Sequence, residues 1–360
     1  MPDRPATTRG DEALDWNALP ERLDVPATRS SGPFVEPRHR VRYAVIMAIL
    51  VVLALAFTVG VLTYDNPLPF GSEGYWRIAE LRASSIVVML LVAVCHSFAT
   101  VSFQTATANR IITPSIMGFE ALYVAVQTGA VFFLGAAGVV MVTGTAQFLL
   151  QALLMVAMAT ALYGWLLSGR FGNIHIMLLV GVILGGGLGS LSNFMQRLLT
   201  PSEFDILTAR LFGNISNADT DYLPYAIPIS LAAAGALWLR CRRLNVLALG
   251  QDAANNLGLR HRGEVMTVLF LVSILMAMTT SMVGPMTFLG FLMATLAYQA
   301  ADTYEHRLIL PMAFLIGYVV LSGAYFILRH VFSAGGAVTI IIELIGGTVF
   351  LVHILRKGRL

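Results

Sequence analysis

Residues 43–64 read YAVIMAILVVLALAFTVGVLTY, an unbroken apolar run without a charged side chain. A helix needs about 20 mostly apolar residues to cross the hydrocarbon core of a bilayer. The rest of the chain has the same character, since 57% of its 360 residues are hydrophobic and only 12% are charged. Soluble domains carry about 25% charged residues. The sequence therefore predicts an all-α, polytopic membrane protein and excludes an ordinary soluble domain.

Ten segments have the composition of membrane-spanning helices, although two of them are short. The third span follows Pro114 and Gly118, and the eighth follows Gly284 and Pro285, so both begin at helix-breaking residues. The predicted spans cover residues 43–64, 83–103, 116–135, 138–168, 174–197, 223–240, 264–283, 286–301, 308–329 and 337–355.

Arginine is distributed unevenly between the two sides that ten spans create. Cytoplasmic loops of membrane proteins are enriched in arginine and lysine. An even number of spans puts both termini on one side, and we expect that side to be the cytoplasm of a bacterial cell, bounded by its cytoplasmic membrane. The inner segments then hold Arg38, Arg40, Arg42, Arg110, Arg170, Arg240, Arg242, Arg243, Arg260, Arg262, Arg307, Arg356, Lys357 and Arg359, and the outer segments hold Arg77, Arg82, Arg197, Arg210 and Arg329.

Residues 1–40 differ from the rest, being rich in Pro, Arg, Asp and Glu without an apolar period. A signal peptide would pass at once from a short basic region to an apolar core, whereas the first apolar run here begins near Tyr43. A segment this polar cannot bury enough apolar surface to fold. We expect a disordered cytoplasmic tail over 1–40 and a transmembrane domain over 41–360.

Two loops are long enough to hold structure of their own. The inner loop, residues 241–263, reads CRRLNVLALGQDAANNLGLRHRG. Its leucines recur at helical spacing up to a break at Gly250, and a second short run ends at Leu257 and Gly258. This pattern is typical of two small amphipathic helices at the membrane surface. The outer loop, residues 198–222, is expected to hold one short helix.

The sequence lacks the motifs of a nucleotide-hydrolysing or metal-binding protein. A phosphate-binding loop needs a lysine between glycines and Ser or Thr, and the only lysine is Lys357, near the C-terminus. There is no His-Glu-x-x-His or Cys-x-x-Cys motif, and the two cysteines, Cys95 and Cys241, lie far apart in the chain. We therefore expect no enzyme, no cofactor and no metal site. Any ATP that drives this protein must be bound and hydrolysed by another chain.

The fifth predicted span carries Gly181, Gly185 and Gly189 at four-residue spacing, followed by Ser190 and Asn193. Four residues make about one helical turn, so the glycines share one face. Small residues on a face allow another helix to approach closely. One interpretation is plain helix packing. The other is that this face borders a subunit interface or a transport pathway, with the two polar residues lining its outer end.

Ionisable side chains are scarce inside the predicted spans, where the candidates are Glu120, Glu343 and His96. Ion-coupled carriers usually keep such residues at mid-membrane. Each of the three is explained equally by a helix end or by a buried, hydrogen-bonded position. The scarcity weakens an ion-coupled secondary transporter, which stays as an alternative.

The loop after the second span carries Gln104, Asn109, Pro114 and Gly118. With this spacing the loop resembles that of the FecCD-type permeases of ATP-binding cassette importers. Those permeases carry iron–siderophore, haem or cobalamin cargo. The inner loop is similar to the family's coupling segment, which docks on the ATPase subunit. The resemblance covers roughly residues 42–358 and includes Gly284–Gly290, His306–Pro311 and Ile345–Phe350.

The resemblance implies a type II importer fold with coupling helices at about 244–258. It also implies an ATPase dimer, an extracytoplasmic substrate-binding protein, and alternating access that moves a ferric siderophore inward. Arg82 and Arg329 match rim arginines that meet acidic residues of the binding protein, although membrane-interface anchoring is an equal explanation for both. The implied coupling residues are Leu247, Leu249, Gly250, Gln251, Asp252, Ala253, Asn256, Leu257 and Gly258.

Departures from the family pattern narrow the cargo. Arg110 replaces a proline, Ala294-Thr295 replaces a Pro-His pair, and Gly336 stands where the last helix usually starts with Glu-Leu-Pro-x-Gly. The form of the 109–118 loop is similar to the branch that handles catecholate-type chelates, such as the petrobactin, vibriobactin and anguibactin permeases. That branch often pairs two different permease chains, which favours a heterodimer. Haem or another metal chelate stays as an alternative cargo.

Overall fold

The chain folds into helices joined by short turns, and the regions described below contain no strand. A computed structural model describes residues 32–34, 36–141, 144–168, 174–211, 215, 218, 220–332 and 338–357. The helices are α1 Pro37–Thr63, α2 Glu73–Ala106, α3 Glu120–Met141, α4 Thr145–Ser168, α5 Ile174–Gln196, α6 Pro201–Leu211, α7 Leu223–Leu239, α8 Cys241–Leu247, α9 Gln251–Asn256, α10 His261–Val283, α11 Leu289–Ala301, α12 His306–His330 and α13 Val338–Lys357.

Each predicted span overlaps one of these helices. Within the residues that the structure describes, eight helical segments are long and apolar enough to cross a membrane, while α11 and the apolar part of α13 are shorter. The third span was predicted to end at residue 135, where Gly135, with a φ of 68°, breaks the helical backbone inside α3. The fourth span was predicted to begin at residue 138, whereas α3 runs on to Met141 and α4 starts only at Thr145. Gly144 breaks the backbone there with a φ of 97°. The composition stays apolar across this break, so hydropathy alone does not reveal it.

The predicted boundary of the N-terminal tail also shifts. Residues 1–31 lie outside the described residues, as do Arg170, Gly336 and Arg359. Residues 37–40 belong to α1, because Pro37 occupies a first-turn position that suits its fixed φ and missing N–H. Ahead of α1, the carbonyl of Pro33 accepts a hydrogen bond from the Thr303 hydroxyl at 2.5 Å. The basic first turn of α1 hides this helix start in the sequence.

Helix α2 forms the centre of the bundle. It packs against α1, α7, α10, α11 and α12, and most of its middle is buried. Several of its hydroxyl groups bond to carbonyls of the preceding turn, as when Ser97 Oγ donates to Ala93 O at 2.6 Å. Such bonds satisfy polar atoms where no water reaches them. At Gly290 of α11, an added Cβ would lie 2.2 Å from Thr100 Oγ1, so a glycine allows α11 to approach α2.

Two of the segments that resemble the family, Gly284–Gly290 and Ile345–Phe350, pack on each other. An added Cβ at Gly346 of α13 would lie 2.8 Å from Cβ of Phe288, in the turn before α11. The Phe350 ring lies 5.7 Å from the Phe288 ring and 4.8 Å from the Phe291 ring, between centroids. These contacts fix α13 against α11 at one edge of the bundle.

Candidate functional site

Residues 241–258, termed here the α8–α9 surface, form two short helices, as predicted. Gly250 separates them with a φ of 92°, and Gly258 ends α9 with a φ of 82°. Leu249 and Leu257 leave 62% and 64% of their surface exposed. Exposed leucines on so polar a segment are candidates for contact with another protein. Around them, Gln251, Asp252, Asn256 and Gly258 are exposed, Gly250 and Ala253 are half-buried, and Leu247 is buried.

The α8–α9 surface is attached to two core helices through His306. The Oδ1 atom of Asn245 lies 3.0 Å from the backbone nitrogen of His306 and 2.6 Å from its Nδ1. The other ring nitrogen, Nε2, lies 2.7 Å from Thr105 Oγ1 in the last turn of α2. The ring donates from Nδ1, because the amide oxygen of Asn245 can only accept, and Nε2 then faces the Thr105 hydroxyl, which also bonds to the Val101 carbonyl. α8, α12 and α2 therefore meet at one imidazole.

A second attachment joins the same surface to α10. Glu264 is buried in the first turn of α10. Its carboxylate accepts hydrogen bonds from Arg240 Nη1 at 2.5 Å and from Arg243 Nη1 at 3.1 Å. Within α9, Asn255 Oδ1 accepts the backbone N–H of His261, the first residue of α10, at 3.3 Å. Because both ends of the segment are held in this way, a displacement of α8 or α9 would be transmitted to α10.

The loop after α2 lies beside the α8–α9 surface. Gln104 Nε2 donates to the carbonyl of Arg110 at 2.8 Å, and Asn109 Oδ1 accepts the N–H of Ile111 at 2.9 Å. Both side chains hold the loop in shape, which explains why these residue types suit these positions. A small polar cavity separates the loop from the surface, lined by Gln104, Thr105, Ala108, Arg110, Ala248, Tyr298, Tyr304, His306 and Ile309.

The glycines of α5 divide between two environments. An added Cβ at Gly185 would lie 2.8 Å from Gly118 Cα, and one at Gly181 would lie 3.1 Å from the Met117 carbonyl oxygen. Gly118 itself has a φ of 101° in the wide turn that follows Pro114. Close packing within the chain therefore explains Gly181 and Gly185. Gly189 has open space around it, and Ser190 and Asn193 are exposed.

The carboxylates within the bundle also differ from each other. Glu120 is buried, its Oε1 accepting the N–H of Met286 at 3.0 Å and its Oε2 accepting the Thr287 hydroxyl. It therefore links α3 to the turn before α11. This agrees with the interpretation of Glu120 as a buried, hydrogen-bonded residue. Glu343, by contrast, is exposed on α13. Across the described ranges, no three potential metal ligands cluster.

At the opposite end of the bundle, Arg82 and Arg329 behave differently. Arg82 is only 7% exposed, and its guanidinium donates to the carbonyls of Val61, Tyr64 and Asp65 at 3.3, 2.7 and 3.1 Å. It therefore binds the carboxyl end of α1, and its assignment to binding-protein docking stays a prediction. Arg329 is exposed and donates to the Tyr325 hydroxyl at 2.9 Å.

A comparison with protein-family models matches residues 43–356 to the FecCD transport family. The chain belongs to the FecCD transport family. This FecCD chain is accordingly a membrane permease subunit and not an enzyme, and ATP is hydrolysed by a separate subunit of the importer.

Named relatives agree with this assignment. The FecCD chain is 49% identical over 333 residues to the petrobactin import system permease protein FatC of Bacillus anthracis, covering 92% of this chain and 94% of FatC. It is 34% identical over 278 residues to the petrobactin import system permease protein YclO of Bacillus subtilis, covering 77% and 88%. A metal-chelate type ABC transporter solved in an inward-facing conformation has the same fold. Its TM-score is 0.76 at 20% identity, with 87% of this chain and 100% of that chain covered.

Sequence reasoning missed the residues that attach the α8–α9 surface. Asn245, His306, Thr105 and Glu264 lie far apart in the sequence of the FecCD chain and meet only in the folded bundle. The one available signal was a set of polar residues at the ends of apolar segments. That signal is common to most membrane helices and could not have paired these four.

Proposed function

We propose that this FecCD chain is one of two permease chains of an ATP-driven importer, and that the cargo is a ferric siderophore of the petrobactin class. The similarity to FatC carries the proposal, because it extends over nearly the full length of both chains. YclO, another petrobactin import permease, gives independent support for the same cargo. A second permease chain that differs from this one is part of the proposal.

The α8–α9 surface is proposed as the docking site for the ATPase subunit. Its two exposed leucines, Leu249 and Leu257, provide apolar contacts, and Gln251, Asp252 and Asn256 provide a polar rim. This division resembles that of protein interfaces, which combine an apolar centre with a polar border. The attachment through His306 and Glu264 supports a mechanical role, since force on α8 would reach α2, α10 and α12 directly.

The proposed orientation places the α8–α9 surface and both termini in the cytoplasm. The arginines on that side outnumber those at the opposite end, which supports this orientation. The opposite end would then receive the substrate-binding protein. Arg329 is exposed there and suits attraction of an acidic partner surface, while Arg82 supports the rim by holding α1 to α2.

Transport would proceed by alternating access between the two permease chains. Ser190 and Asn193 of α5 and Glu343 of α13 are polar and exposed on apolar helices. Polar groups in such positions face a partner chain or a water-filled path, because contact with lipid is costly. We propose that these residues border the second permease chain or the pathway between the chains.

The cargo is tested by uptake of radioactive iron in a deletion strain that carries the chain on a plasmid, together with its ATPase, binding protein and second permease. We expect uptake from ferric petrobactin to be restored, and uptake from haem or ferric enterobactin to remain at the level of the deletion strain. A chain with alanine at both Leu249 and Leu257 serves as the inactive control. Restored growth on haem alone would overturn the proposed cargo.

A further inference from the structure

A groove runs along the membrane-facing side of the bundle between α7 and α12. Both helices pack on α2 rather than closely on each other, so a strip of α2 forms the floor. That strip contains Val94 and Phe98, which are half-buried although most of the middle of α2 is buried. The lining residues are Val94, Phe98, Leu231, Ala234, Gly235, Trp238, Pro311 and Phe314.

The groove is apolar and has room for a ligand. Gly235 supplies no side chain, and a Cβ built on it meets nothing within 4 Å. The ring of Pro311 sits inside α12, where it interrupts the helical hydrogen bonding. From Leu231 to Trp238 the groove follows α7 for about two turns, or roughly 10 Å. That length accommodates the upper part of a phospholipid acyl chain.

Positive charge is concentrated where the groove reaches the α8–α9 end. Arg307 precedes Pro311 by one helical turn, so the two lie on the same face of α12. His306, next to Arg307 in the chain, bonds to Asn245 of α8, and Cys241 packs with Ile309 and Leu310, so the first turn of α12 lies beside α8. Arg242 follows in the chain and is exposed.

The charges around this end do not cancel. Within the part of the chain that the structure describes, neither Arg242 nor Arg307 has a carboxylate within 4 Å. Glu264 is shared by two other arginines, and Asp302, in the turn before α12, pairs with His39. Arg242 and Arg307 therefore remain available to an anionic group. Basic pockets between helices on the cytoplasmic side are typical binding sites for anionic lipid headgroups.

We infer that this groove is a binding site for an anionic phospholipid, with one acyl chain between α7 and α12 and the phosphate at Arg307 and Arg242. The Trp238 ring, 6.3 Å from the Phe98 ring, stands between the two parts, at the depth where indoles favour the headgroup boundary. Assignment of the lipid to the cytoplasmic leaflet rests on the proposed orientation of the chain.

The test is native mass spectrometry of the purified importer, titrated with dioleoylphosphatidylglycerol or dioleoylphosphatidylcholine. We expect the wild type to bind the first phosphatidylglycerol at least fivefold more tightly than phosphatidylcholine. Gly235→Leu, which fills the groove, and Arg307→Gln, which removes one charge, should each weaken phosphatidylglycerol binding about fivefold. Gly129→Leu, at another glycine with open space, and Arg38→Gln, at the start of α1, are matched controls and should change nothing.

Several results would overturn the inference. The first is equal binding of the two lipids, and the second is phosphatidylglycerol binding that neither groove variant weakens. The third is weaker binding in Arg307→Gln but not in Gly235→Leu, which would mean that surface charge attracts the lipid and that the groove does not bind it. Release of the second permease chain by Gly235→Leu would mean that a protein fills the groove. If Gly235→Leu does not fold, Trp238 fluorescence, taken as the difference between the wild type and Trp238→Phe, provides the test. Phosphatidylglycerol with brominated acyl chains should quench this signal more than brominated phosphatidylcholine. Neither measurement needs cargo or ATP, so failure of the proposed transport function would leave the result intact.

Discussion

Oδ1 of Asn245 accepts hydrogen bonds from both the backbone N–H and the ring Nδ1 of His306. One amide oxygen on α8 is thus bonded twice to the first residue of α12. Because the far side of the same imidazole contacts Thr105, the last turn of α2 is included. The ends of three helices are fixed to one another at the surface where the ATPase is proposed to bind.

Replacing His306 with alanine should uncouple ATP hydrolysis from transport. The variant loses the hydrogen bonds by which the imidazole joins α8 to α2, so movement of α8 would reach the core less directly. We expect iron uptake to fall about tenfold, and the free energy of unfolding to fall by about 1–3 kcal/mol, since Asn245 Oδ1 keeps only the backbone N–H of residue 306 as a partner. The measurement is ATP hydrolysed per iron transported in proteoliposomes, with His39→Ala, at a half-exposed histidine of α1, as the control. An unchanged ratio would contradict the prediction.

The exposed leucines of the α8–α9 surface should matter for ATPase binding and not for folding. Replacing Leu249 and Leu257 together with serine removes apolar contacts worth about 1.5–3 kcal/mol for each leucine if it is fully buried on binding. We expect at least tenfold weaker association with the ATPase, measured by co-purification and by titration in detergent. Thermal unfolding of the permease should be unchanged. Leu68→Ser, at an exposed leucine ahead of α2, is the control, and equal binding by both variants would refute the prediction.

Gly185 and Gly186 offer a test of helix packing with adjacent positions. A methyl group at Gly185 would meet the Gly118 backbone, whereas the same group at Gly186 meets nothing within 4 Å. We expect Gly185→Ala to destabilise the chain by about 1–3 kcal/mol through overpacking. Gly186→Ala should be neutral or slightly stabilising, because alanine favours a helix more than glycine does. Thermal unfolding in detergent measures both, and equal midpoints would show that α5 does not approach Gly118 closely.

Arg82 and Arg329 should differ in what their substitution affects. Arg82→Gln loses charge-assisted bonds to the end of α1, so we expect lower stability, by about 2 kcal/mol. Arg329→Glu should leave stability unchanged and weaken docking of the substrate-binding protein, more strongly at low salt than at high salt. Surface plasmon resonance at two ionic strengths measures the docking. Salt-independent affinity for Arg329→Glu would remove its assignment to the docking surface.

Local sequence patterns were sufficient for the membrane spans and for α8 and α9. An apolar run such as 43–64 must form a helix in the membrane, because unpaired backbone groups are costly to bury in lipid. The break at Gly250 could be predicted, because a short polar segment with leucines at helical spacing has few other solutions. The 104–118 loop could also be predicted from local sequence, because Gln104 and Asn109 form hydrogen bonds within that segment.

Other features depend on partners that are distant in the sequence. An arginine at the start of a membrane helix usually extends to the interface, but Arg82 instead finds carbonyls at the end of α1. The spacing of the glycines in α5 predicted that they share one helix face. Which of them pack against another segment depends on the position of Gly118 in the fold. The break between α3 and α4 depends on a left-handed glycine within an apolar stretch, and hydropathy does not register it.

Glu343 should be required for transport although it is not required for folding. An exposed carboxylate on an apolar helix costs about 2.5–3.5 kcal/mol at the bilayer centre, so it is retained only where a partner chain or water receives it. We expect Glu343→Leu to lower iron uptake at least tenfold while its thermal stability is maintained or raised. Glu343→Gln, which keeps the shape and hydrogen bonding, should lose less. Leu344→Ala, at the exposed neighbouring residue, is the control, and full uptake by Glu343→Leu would place this side chain outside both the pathway and the subunit interface.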